Sequence, residues 1–68
     1  MRAKQSVLDA KERARSLSLH PNNKGVIVYV LDKPYQRAKV FTIEFLVRDW
    51  LLDDWQVVCR YRDGKELA

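Results

Sequence analysis

Ala3, Val7, Ala10, Ala14 and Leu17 recur at spacings of four, three, four and three. That is one stripe of an amphipathic α-helix and predicts helix over residues 6–18. Most of the stripe is alanine, so the helix backbone can lie close to a sheet. Ser6 and Asp9 stand at the spacing of an N-terminal capping box, with aspartate in place of the usual Glu or Gln. Asp9 and Arg13 are spaced to pair one turn apart. Residues 1–5 are then a frayed extra turn or a flexible arm. His20-Pro21-Asn22-Asn23-Lys24-Gly25 ends the helix, because Pro21 disfavours helix at its neighbour and Asn and Gly accept left-handed backbone. His20 at this exit is expected to cap a helix carbonyl.

The pattern then changes. Val26-Ile27-Val28-Tyr29-Val30-Leu31 is almost wholly β-branched or aromatic and reads as a strand covered on both faces. Residues 32–37 supply a polar, proline-bearing connection. Residues 39–45 alternate, with Val40, Thr42 and Glu44 opposite Phe41, Ile43 and Phe45. Residues 55–62 alternate again, with Trp55, Val57, Cys59 and Tyr61 opposite Gln56, Val58, Arg60 and Arg62. A period of two makes both of them half-buried strands. Asp63-Gly64 is a turn signal that closes the last strand.

Residues 43–54 satisfy two patterns at once. Ile43, Leu46, Val47, Trp50 and Leu51 fit helical spacing, so a second helix from Thr42 competes with the strand. The strong β-formers Val40, Phe41, Thr42 and Ile43 favour strand to about Val47, with a short helical turn or bulged loop over 48–54. The predicted class is α+β: one N-terminal helix packed on a three-stranded antiparallel sheet, in the order α-β-β-β, connected as a meander.

Sixty-eight residues make a single small domain. Its hydrophobic content of 47%, with two Trp, three Tyr and two Phe, is that of a folded core. Cys59 is the only cysteine and His20 the only histidine, which excludes an intramolecular disulfide and leaves too few ligands for a cysteine-based metal site. Neither metal nor cofactor is expected. No apolar run approaches the ~18–20 residues of a membrane span. The charged N-terminus lacks a signal-peptide core, so the expected compartment is the cytoplasm.

Charge divides the chain. Residues 1–24 carry Arg2, Lys4, Lys11, Arg13, Arg15 and Lys24 against Asp9 and Glu12, which accounts for the whole formal charge of +4. Residues 25–68 balance. Lys4, Lys11 and Arg15 share one flank of the predicted helix and could track a phosphate backbone, or could simply keep the helix solvated. Arg60 and Arg62 share one face of the last strand. Tyr61 points the other way, which counts against single-strand recognition, where bases stack on aromatics of the binding face. Glu44 and Lys39 across the sheet are candidates to interact with these arginines.

The remaining constellation is Asp49-Trp50-Leu51-Leu52-Asp53-Asp54-Trp55. Large aromatics interleaved with acids form protein-binding patches, since Trp dominates interface energetics and flanking charges select the partner. Trp55, at a strand start, belongs to the core, whereas Trp50, Leu51, Asp53 and Asp54 are the candidate binding residues. Asp53 and Asp54 are adjacent and resemble no acid–base dyad. Cys59 lies mid-strand on the apolar face as an inert thiol. No enzyme activity is expected. The leading expectation is a small module that binds another protein as adaptor, regulator or inhibitor, of a size that suits a phage or mobile-element accessory protein. Nucleic-acid binding through Lys4, Lys11, Arg15, Arg60 and Arg62 is the second. Homodimerisation through a free sheet edge is compatible with both.

Overall fold

The computed structural model describes residues 4–67. Ala3, like the first part of the expected N-terminal arm, lies outside them. An N-terminal helix packs on an antiparallel sheet, as the class predicted, but the sheet has four strands and a second helix interrupts them. In chain order the elements are α1 (Gln5–Leu19), a 3-10 turn (Pro21–Asn23), β1 (Val28–Asp32), β2 (Lys39–Phe41), α2 (Glu44–Leu51), β3 (Gln56–Arg62) and β4 (Lys65–Leu67).

The strands are not a meander. Their order across the sheet is β2-β1-β3-β4, with every pairing antiparallel. β1 is central, where the expected meander put the second strand; its apolar residues on both faces suit that place, and α2 carries the chain from β2 to the far side of β1. The β1–β2 register explains why the strand predicted to reach Val47 ends at Phe41. Tyr29 pairs with Phe41 and Val30 with Val40. Extended further, Phe45 would fall opposite Gly25, beyond the start of β1. Freed from the ladder, residues 44–51 follow their helical period. Glu44 in the first turn lies 3.9 Å from Arg48, in the orientation that favours a helix.

Two cores result. On one face of the sheet, Ala10 and Ala14 of α1 pack on Val28, Val30, Cys59 and Tyr61, with Leu17, Ala38 and Val40 at the margin. On the other, Leu31, Val47 and Trp55 are buried, with Tyr29, Phe41 and Trp50 against them. A β-bulge divides β3 between these faces. Val30 pairs with Cys59 but Leu31 with Val57, so Val58 is the extra residue. The strict alternation read for residues 55–62 therefore fails at Val58. Trp55 enters the core under α2, and Cys59 and Tyr61 enter the core under α1.

The helix ends differ from expectation as well. Lys4 occupies the N-cap position, and no side chain caps α1. Ser6 instead accepts from the Ala38 amide at 3.3 Å, and Asp9 accepts from the Gln5 side chain at 2.9 Å. At the exit, His20 Nδ1 accepts from the Asn22 amide at 3.2 Å, so it caps the 3-10 turn rather than a carbonyl of α1. The Asn23 side chain donates to the Leu17 carbonyl in that role, at 3.0 Å.

Candidate functional site

Register separates the charged residues of the strands by sign. Asp32 and Glu66 lie on the α1 side of the sheet, where Lys4 reaches Asp32 at 3.1 Å and Lys11 reaches Glu66 at 3.7 Å. Lys39, Arg60, Arg62 and Lys65 all lie on the other side. Arg60 pairs with Tyr29 and Leu67, Arg62 with Lys65, and Lys39 with Leu31. Among the described strand residues that face carries four bases and no acid.

This arrangement revises the nucleic-acid candidates. Lys4 is a structural cation: its ammonium donates to Asp32 Oδ1, the Lys33 carbonyl at 2.9 Å and the Gln36 carbonyl at 2.9 Å. It ties the start of α1 to the β1–β2 loop, so it belongs to the fold rather than to a flexible arm. Lys11 is engaged with Glu66, while Arg13 and Arg15 are exposed on α1. Glu44, expected to interact with the sheet arginines, lies beside Arg48 instead. The aromatics are not all opposite the arginines either. Tyr61 is, but Tyr29 stands beside Arg60 in the register and Phe41 beyond it, forming a row Phe41-Tyr29-Arg60-Leu67 across all four strands.

The α2 segment makes a second surface. Trp50 is half-buried, its ring centroid 4.9 Å from that of Phe41 and 4.7 Å from that of Trp55. It is thus a wall of the second core, with one edge reaching a shallow hollow of about 210 Å³ lined by Asp49, Trp50 and Asp53. Asp53 is held from the other side by Lys33, which donates to its carbonyl at 2.8 Å and lies 3.6 Å from its carboxylate. Asp54 is exposed in left-handed backbone, φ 66°, where the chain turns into β3.

Phe45, read in the sequence as strand, and Leu52, named there only as part of the motif, dominate this surface. Phe45 is 71% exposed and Leu52 86%, against 41% for Leu51. Phe45 and Leu52 are seven positions apart, so they lie on one outward line of α2 with Arg48 and Asp49 between them. The signal was available: on a helix whose inward positions are Val47 and Trp50, Phe45 must point outward. It was masked by reading Phe45 as the end of a strand.

Cys59 is buried, and that burial pushes its thiol above the ordinary value, only partly opposed by Lys11. Tyr61 is pushed up to about 12, first by burial and then by its 3.0 Å hydrogen bond to Glu66. Among the described residues no three of His, Cys, Asp and Glu stand close enough to hold a metal ion. Nor is any described helix long and apolar enough to cross a membrane. The chain matches no family model, no curated protein and no solved structure.

Proposed function

We propose that this chain is a non-catalytic protein-binding module, an adaptor, regulator or inhibitor that engages a larger protein through the outward side of α2 and the loop after it. One observation carries the reading. Of the ten large apolar side chains exposed among the described residues, seven lie in the stretch 43–58: Ile43, Phe45, Leu46, Leu51, Leu52, Val57 and Val58. Scattered single exposures need no explanation, whereas a concentration on one short helix and its flanks marks an interaction site. A partner that buried Phe45 and Leu52 would gain roughly 1.5–3 kcal/mol from each.

Charge describes the partner. Residues 44–54 carry Glu44, Asp49, Asp53 and Asp54 against Arg48 alone, in a protein whose net charge is +4. The surface that fits is therefore apolar at its centre and basic at its rim. Leu51, Asp53 and Asp54 keep their proposed role on this surface, with Phe45 and Leu52 as the anchors and Trp50 as their support.

Site-specific photo-crosslinking tests the reading in an extract of the organism that encodes the chain. A crosslinker in place of Leu52 is expected to give one discrete adduct with a larger protein, abolished by Phe45→Glu, while a crosslinker in place of Arg15 gives none. Adducts from both positions alike, adducts insensitive to Phe45→Glu, or an adduct of two copies of this chain would overturn it. So would no adduct.

A further inference from the structure

We propose that the sheet face turned away from α1 binds single-stranded nucleic acid along β3 and β4, with phosphates held by Arg60, Arg62 and Lys65 and a base stacked on Tyr29. The sign separation of the strand charges carries this. A sheet that must only stay soluble mixes its charges on the solvated face. Here both strand acids sit under α1 beside helix lysines, and all four strand bases occupy the opposite face. Arg62 and Lys65 are directly opposed cross-strand neighbours, and both are exposed. Like charges so opposed are destabilising. An anion laid across them converts that repulsion into attraction.

The occupant follows from shape and composition. Helix α2 rests on the β2 side of this face and forms a wall. The strip carried by β3 and β4 is two strands wide, about 10 Å, which suits one sugar-phosphate backbone rather than a duplex. Double-stranded DNA is usually entered by a helix or a two-stranded ribbon, not by the flat of a sheet beside a wall. Tyr29 and Phe41, both half-buried, continue the row inward from Arg60, and an aromatic beside a guanidinium on a sheet face is a stacking platform for splayed bases. An acidic protein segment would use the charges but not the ring.

Fluorescence anisotropy with a short labelled oligothymidylate tests this, beside a duplex of equal length and polyglutamate. The double reversal Arg62→Glu/Lys65→Glu is compared with Arg13→Glu/Arg15→Glu on α1, which changes the net charge equally. We expect the single strand to bind tightest. The sheet reversal should weaken it at least tenfold and shrink the slope of log K against log salt by about 1.4, two contacts at ~0.7 each. The helix reversal should cost less than threefold, and Tyr29→Leu should cost about tenfold with the salt slope unchanged. Both reversals alter exposed side chains, so circular dichroism should read native for each. Equal losses from the two reversals, duplex or polyglutamate bound as tightly as the single strand, or no binding at low salt would each overturn the proposal. Because the two charge reversals leave α2 and the core beneath it unaltered, their outcome is distinguishable from failure of the protein-binding reading.

Discussion

The Gly64 amide donates to the Ser18 hydroxyl at 2.8 Å, joining the β3–β4 turn to the last turn of α1 across forty-six positions of chain. Ser18 is fully buried, and its hydroxyl donates to the Arg15 carbonyl at 2.7 Å. One side chain thereby satisfies two backbone groups. Ser18→Ala leaves the part-buried Gly64 amide without its acceptor, at a cost of about 1–3 kcal/mol. In a domain this size each kcal/mol moves Tm by roughly 4–8 °C. Thermal unfolding followed by circular dichroism should show a loss in that range. A change below ~0.5 kcal/mol would mean that solvent reaches the amide.

Gly64 itself has two constraints that can be separated. Its φ of +81° follows Asp63 at +53°, the pair of left-handed residues a tight hairpin demands. A Cβ on it would also run into the Leu19 side chain. Gly64→Ala should therefore cost about 1–2 kcal/mol for backbone conformation alone, plus a steric part. Since Leu19 is more than half exposed, it can yield, and that part should be the smaller. Adding Leu19→Ala should recover only the steric part, read as a coupling energy in a double-mutant cycle.

How much of this was legible before the structure depends on range. Helix α1 was, because Val7, Ala10 and Ala14 repeat strongly, and so was a strand over 26–31 covered on both faces, but its central place was not, since the expected meander put the second strand in the middle. The boundary at Phe41 was not. Thr42 and Ile43 favour strand locally, and only the register against β1, which starts at Val28, stops it. Strand β4 is three residues long, too short to show a period. The bulge at Val58 and the parting of strand bases from strand acids are properties of pairing, and alternation within one strand cannot reveal them.

Trp50 and Leu52 separate the core role from the surface role within the same motif. Trp50 packs edge-on against Trp55 and tilted against Phe41, so Trp50→Ala should destabilise the fold by about 2–4 kcal/mol, somewhat less than for a fully buried Trp. Leu52, almost fully exposed, should tolerate Ala within about 0.5 kcal/mol. Urea unfolding of the two variants checks this. Equal destabilisation would mean that Leu52 is packed.

Alkaline pH probes the core under α1. Tyr61 is raised from 10.0 to about 12 because burial and the Glu66 carboxylate both disfavour the phenolate. The sign follows: the folded state holds the phenolic proton more tightly than the unfolded chain. This contribution is complete below pH 10 and disappears as pH rises through about 12. Urea midpoints measured from pH 9 upward should fall more steeply for the wild type than for Tyr61→Phe across that window. The phenolate absorbance of the folded protein should show a late-titrating group that the variant lacks. Parallel pH profiles for the two proteins would mean that the phenol ionises without feeling the core or Glu66, and that its hydrogen bond is not maintained in solution.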